Sequence, residues 1–332
     1  MLQTDSLPSG SLTDGYGRIL DYLRLSLTDS CNYQCVYCGP GQSQGTLGDD
    51  QFVHLCRIFK KLGVRTLRLT GGEPLLRKNL PSLVAALSQL GFDRMEMTTN
   101  GSLLPQMAFP LAQAGLHGIN LSLDATDATL FSTLSGGGRV EPVLQGIKKA
   151  KEAGLYVKLN CVPLLDSYQS QVVQVMELAK ANAISVRFIE LMPIGNGCSL
   201  KGVPIERLQT FLEQQYGSPQ QSILGDEKGR GPATYHRYDS VEVGLIGALS
   251  ACFCETCNRL RLTSNGLLKS CLYHQDTLDL RQLLENGNSD ESIELAIHRF
   301  IAKKTVASRF FLAGNDFLFP CIHWRMTKCW KE

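Results

Sequence analysis

The sequence lacks an excess of either charge: 33 Lys and Arg residues stand against 31 Asp and Glu, a formal net charge of +2. Whole-chain electrostatics therefore offers no attraction to nucleic acid or to an anionic membrane surface, and neither is expected as a partner. Long apolar runs are also missing. Stretches such as residues 83–90 are too short and too interrupted to span a bilayer. Residues 1–17 are rich in Ser, Thr, Asp and Gly without the charged-then-apolar order of a secretory signal. They read as a flexible N-terminus on a cytoplasmic protein. No segment is of low complexity, and no repeat is visible beyond a β/α alternation.

What the 332 residues do contain is enough hydrophobic side chain, 43% of the total, to bury a sizeable core. Short β-branched and Leu-rich runs at 22–27, 66–70, 94–99, 118–123, 156–162 and 185–189 read as strands. Amphipathic stretches at 50–62, 80–90, 104–114, 127–134, 143–153 and 171–181 read as helices. Six β-then-α units in a row predict a parallel sheet with right-handed crossovers. Six fall short of the eight that close a barrel, so the expected fold class is α/β: a partial (β/α)6 TIM-like barrel over residues 18–195. The rhythm then changes. Helices at 205–216, 278–285 and 292–303, a Gly-rich loop at 217–231, and strands at 233–238, 240–246, 259–263 and 267–272 predict a smaller C-terminal α+β subdomain over 196–332.

Twelve cysteines are the most informative feature. In a long chain without an export signal, clustered cysteines point to metal ligation or catalysis rather than to disulfides. Cys56, Cys161, Cys198, Cys252, Cys321 and Cys329 are scattered and read as core residues or incidental thiols. The other six form two sets. Cys31-Asn32-Tyr33-Gln34-Cys35-Val36-Tyr37-Cys38 follows the first strand, at the end of the sheet where barrel active sites assemble. Three thiolates this close can hold a [4Fe–4S] cluster and leave its fourth iron without a protein ligand. A zinc knuckle or an electron-transfer site would want a fourth ligand nearby, and neither His54 nor Cys56 has the spacing for one. In the second set Cys254-Glu255-Thr256-Cys257 is followed by Cys271. Here His274 or Cys252 could complete a zinc site, and on spacing alone zinc and iron–sulfur stand nearly level.

The three-cysteine loop, together with Thr70-Gly71-Gly72-Glu73-Pro74 after the second strand, resembles the signature of the radical S-adenosylmethionine superfamily. In that superfamily the glycine-rich turn meets the methionine amino group, and glycines allow such close backbone approach. The second set, read as Cys254 to Arg261 with Cys271-Leu272-Tyr273 downstream, is similar to the GTP 3′,8-cyclase (MoaA-type) family of molybdenum cofactor biosynthesis. The similarity runs from about Tyr22 to Arg281. It includes Leu23-Arg24-Leu25-Ser26, Arg187 to Met192, and Gly244-Leu245-Ile246.

The resemblance implies a lyase that uses two [4Fe–4S] clusters, on Cys31, Cys35 and Cys38 and on Cys254, Cys257 and Cys271. S-adenosylmethionine would lie near Tyr37, Gly72, Ser122 and Met192. GTP would lie against Arg24, Arg68, Thr98, Lys158, Arg259, Leu260 and Arg261. Arg259 and Arg261 would join the first three cysteines as catalytic groups. It further implies a flavodoxin- or ferredoxin-type electron donor and a downstream cyclic pyranopterin monophosphate synthase, and it allows a homodimer. One departure is visible: the family ends in Gly-Gly, whereas here Trp330 and Lys331 follow Met326 at the corresponding place. A paralogue acting on another nucleotide or a peptide is the second expectation.

Overall fold

The computed structural model describes residues 11–39, 45–220, 222–223, 231–251, 253–272 and 275–304. Cys252, His274 and the C-terminal Met326, Trp330 and Lys331 lie outside the described residues. All six expected β/α units are present. Strands β1 (Tyr22–Ser26), β2 (Thr66–Thr70), β3 (Arg94–Thr99), β4 (Gly118–Ser122), β5 (Tyr156–Cys161) and β6 (Ser185–Ile189) pair in parallel and in sequence order. Helices α1 (Asp49–Lys61), α2 (Leu80–Ser88), α3 (Leu104–Gln113), α4 (Ala128–Ser135), α5 (Val140–Glu152) and α6 (Tyr168–Asn182) connect them. The connection after β4 holds two helices, because Gly136 in the left-handed region (φ 69°) ends α4 before α5 begins.

The strands share one pattern. An apolar pair brackets a central polar or charged residue: Leu23-Arg24-Leu25, Leu67-Arg68-Leu69, Met95-Glu96-Met97, Ile119-Asn120-Leu121, Val157-Lys158-Leu159, Val186-Arg187-Phe188. Alternate residues face opposite sides of a sheet. Each of the twelve apolar side chains is buried in the main core, on the face that the helices cover. The central residues turn to the concave face, so the inside of this partial barrel is a polar channel rather than a packed core.

The C-terminal residues do not build a separate sheet among the described residues. After α7 (Ile205–Tyr216), strands β7 (Ser222–Ile223), β8 (Thr234–Tyr238) and β9 (Val241–Ile246) join one edge, with β9 parallel to β6. Strand β10 (Arg259–Leu262) crosses to the other edge and pairs in parallel with β1, carrying β11 (Leu267–Lys269) and β12 (Thr277–Asp279) with it. The order is β12-β11-β10-β1-β2-β3-β4-β5-β6-β9-β8-β7, with β12 and β7 as the open edges. Helices α8 (Leu280–Glu285) and α9 (Asp290–Ala302) close the described chain. The expected strand at 267–272 stops at Lys269 and leaves Cys271 in a loop.

Candidate active site

Parallel strands set the two ends of the channel apart. Cys31, Cys35 and Cys38 follow the C-terminal end of β1. Gly72 follows β2, Ser122 ends β4 and Met192 follows β6, so all of these lie at the same mouth. Cys257 precedes β10, which runs parallel to β1, and Cys271 follows β11, which runs antiparallel to β10. The second cysteine set is therefore at the opposite mouth. Each set uses the same local device: the amide of Cys38 donates to the Cys35 carbonyl at 2.9 Å and that of Cys257 to the Cys254 carbonyl at 3.2 Å. Such a turn brings the first and last thiols of Cys-x-x-Cys to one side.

The first loop is held along its length. The amides of Gly72 and Glu73 donate to the carbonyls of Thr28 (2.7 Å) and Ser30 (2.8 Å), and those of Gln34 and Val36 to Ser135 (3.0 Å) and Leu134 (2.9 Å). Arg77 Nη1 donates to the Leu27 carbonyl at 2.6 Å. The glycine-rich turn does more than bare its backbone to a ligand. A Cβ at Gly72 would sit 2.3 Å from the Ser30 carbonyl oxygen, so this glycine lets the turn dock on the cysteine loop. Glu73 is fully buried and accepts from the amides of Leu75 (2.9 Å) and Asn100 (2.7 Å) and from the Thr99 hydroxyl (2.6 Å). Its carboxylate ties the turn after β2 to the end of β3. Tyr37 donates its hydroxyl to Asp124 at 2.6 Å. Burial pushes the Asp124 carboxyl up to about 6, opposed by that bond and by the one from the Val162 amide.

The residues suit iron–sulfur ligation. The three thiols of each set are free, and all six are at least partly exposed. Three thiolates can each take a different iron of one cubane. The first loop would hold such a cluster, and its open iron would meet the cofactor.

Between the mouths lies a row of cations. Arg24 is in register with Arg68 on one side and Arg261 on the other, and Arg259 stands opposite Tyr22 one step closer to the second cysteine set. Arg68 pairs with Glu96, which also takes Arg94 and the Asn120 amide. Arg24, Arg259 and Arg261 make no ion pair among the described residues. The Nε atoms of Arg24, Arg68 and Arg259 are sealed from solvent without an acceptor. Burial, reinforced by the neighbouring arginines, lowers Arg24 to about 9 and Arg261 to about 10. Burial, then Arg187, lowers Lys158 to about 7. At about 9 and about 10, Arg24 and Arg261 still carry their charge at neutral pH, and neither makes an ion pair among the described residues.

Thr98 stands one step along β3 from Glu96 and is half-buried. Leu260 belongs elsewhere: it alternates with Arg259 and Arg261, faces the opposite side of β10 and is fully buried in the core, so its side chain is turned away from the channel. Sequence reasoning passed over Glu96 and Asn120, although the apolar–polar–apolar triplets mark both. It also passed over Glu190, whose carboxylate takes the amides of Leu249 (2.7 Å) and Ser250 (2.9 Å) and so holds the segment leading to the second cysteine set. No local signal identifies that contact.

An open β/α barrel with a three-cysteine loop at the C-terminal mouth and a glycine turn docked on it defines a radical S-adenosylmethionine enzyme. The Radical SAM superfamily model matches residues 25–179, and the Molybdenum Cofactor Synthesis C model matches 184–310. The chain is 35% identical over 317 residues to a GTP 3′,8-cyclase of Clostridium perfringens (strain SM101 / Type A), covering 92% of this chain and 97% of that one. It is 38% identical over 328 residues to a GTP 3′,8-cyclase of Rhodopseudomonas palustris, covering 94% and 92%. Streptococcus suis SuiB, solved bound to precursor peptide SuiA, shares the fold with a TM-score of 0.62 at 16% identity; 81% of this chain is covered and it spans 65% of that one. The chain belongs to the GTP 3′,8-cyclase family. Among the described residues no helix is long and apolar enough to cross a membrane.

Proposed function

We propose that this chain converts GTP to 3′,8-cyclo-7,8-dihydroguanosine 5′-triphosphate, the first step of molybdenum cofactor biosynthesis. The observation that carries this reading is the row of arginines between two three-cysteine sets at opposite mouths, of which Arg24, Arg259 and Arg261 make no ion pair among the described residues. A triphosphate is the kind of ligand that offsets several buried positive charges at once, and arginine suits it because its planar fork binds phosphate oxygens in pairs. Arg24, Arg68, Lys158, Arg259 and Arg261 would bind and orient the nucleotide, with Thr98 beside them. Tyr37, Gly72, Ser122 and Met192 would line the S-adenosylmethionine end.

Cys31, Cys35 and Cys38 would hold the cluster, which when bound and reduced would supply the electron for reductive cleavage of S-adenosylmethionine and so the means of taking the ribose 3′ hydrogen. The chain's own contribution is placement. It holds the sugar facing the first mouth and the base facing the second, where Cys254, Cys257 and Cys271 would carry a further cluster. It keeps water from the reactive carbon and does so in a preorganised cationic channel. A flavodoxin- or ferredoxin-type donor would deliver the electron, and a cyclic pyranopterin monophosphate synthase would receive the product.

The test is an anaerobic assay of reconstituted protein with S-adenosylmethionine, GTP and dithionite that follows 5′-deoxyadenosine and the cyclised nucleotide together. Formation of both in step is expected. Formation of 5′-deoxyadenosine without the cyclised nucleotide would overturn GTP as substrate and favour a paralogue acting on another nucleotide or a peptide.

A further inference from the structure

Beyond the motif residues, the second cysteine set is ringed by cations from distant parts of the chain. Arg18 Nη1 donates to the Cys254 carbonyl at 2.5 Å and pairs with Asp14 at 2.6 Å. Lys304, just past α9, folds back over β10 and donates its Nζ to the Arg259 carbonyl at 2.9 Å. Its side chain is buried, with the residue only 5% exposed, and it forms no ion pair among the described residues. A buried ammonium held by one neutral carbonyl is costly unless an anion lies close. The anionic groups around it are the thiols of Cys257 and Cys271 and the carboxylate of Asp14, and Asp14 is already bound to Arg18 and to the amides of Tyr16 and Arg18.

We propose that Lys304 is the electrostatic anchor of the second cysteine site: its fixed positive charge balances the thiolates and the anionic cluster they carry, and so sets that cluster's reduction potential. This rests on the reading of the second set as an iron–sulfur site. A purely structural lysine would matter only through its hydrogen bond to the Arg259 carbonyl. A charge-balancing one would matter through its charge, because each electron added to the site makes it more negative and a nearby cation favours the reduced form.

The test uses the full chain carrying Cys31→Ala, Cys35→Ala and Cys38→Ala, so that only the second site can load. After anaerobic reconstitution, iron and sulfide per chain and the midpoint potential of the remaining cluster are measured for Lys304, Lys304→Arg and Lys304→Gln. The Arg variant is expected to keep the Lys304 potential. The Gln variant, which keeps a hydrogen-bond donor without the charge, is expected to shift to a lower potential or to lose iron. Equal behaviour of the Arg and Gln variants, whether both match Lys304 or both lose iron, would overturn the proposal. Absence of iron in the Lys304 background would instead overturn the second-cluster reading on which it stands.

Discussion

Arg24 and Glu96 flank Arg68 in one row across the sheet and play opposite parts. Glu96 is a buried carboxylate clasped by Arg68, Arg94 and Asn120; although burial raises it, those cations win and hold it below its ordinary value. Arg24 has no such partner. Arg24→Met should therefore leave the melting temperature of the apoprotein unchanged or higher. It should lower kcat/KM for GTP by roughly 10- to 100-fold, the loss of one charge-assisted contact of about 1.5–3 kcal/mol. Glu96→Gln should do the reverse to stability, costing about 3–5 kcal/mol because it strands buried cations. A clear fall in melting temperature for Arg24→Met would show that this arginine is structural. Asp124 offers a pH signature. Its carboxyl is raised from 3.8 to about 6, chiefly by burial, so the folded state prefers it protonated. Its contribution is fully present below pH 3.8 and is lost as pH rises through 6. Relative to Asp124→Asn, the unfolding free energy of the wild-type apoprotein should fall by about 2.5 kcal/mol between pH 4 and pH 7. A pH-independent difference between the two would count against the shift.

At the scale of elements, the cysteine loop depends on segments that are far from it in sequence. The Gly72 turn, the end of α4 and Arg77 grip it through backbone atoms, so its shape is set before any cluster arrives. Gly72→Ala tests this. The added methyl group would meet the Ser30 and Asp29 carbonyl oxygens at 2.3 and 2.6 Å. Iron bound at the first site should fall sharply, with cleavage of S-adenosylmethionine reduced at least about 100-fold, the scale of a misplaced catalytic group. Full iron loading and normal cleavage would mean that the turn yields more easily than its packing suggests. The two Cys-x-x-Cys turns, by contrast, are local, and their spacing announces them without help from the fold.

At the scale of the molecule, the sheet is continuous from β12 to β7 and the C-terminal strands cap both edges of the six-unit barrel. Residues 18–195 expressed alone would expose the backbone edges of β1 and β6 together with their apolar faces, a template for aggregation. This fragment is expected to be insoluble or to melt without cooperativity, and a sharp cooperative melt would show it to be an independent domain. The six β/α units and both cysteine sets were legible in the sequence because each is written in local terms: a hydrophobic period, a short spacing, a turn. The alternating triplets were equally local, and they already mark Arg24, Glu96, Lys158 and Arg187 as residues of a polar inner face.

Tertiary structure alone decided the rest. It placed Arg259 and Arg261 beside Arg24 across more than two hundred residues of sequence, sent Leu260 to the opposite face, and put the two cysteine sets at opposite mouths. It also committed Glu73 to the end of β3 and brought Lys304 to the Arg259 carbonyl beside the second cysteine set. Local sequence carries what neighbours along the chain impose on one another. Which charges go without a partner depends on every strand that reaches the channel, and that is known only once the sheet is assembled.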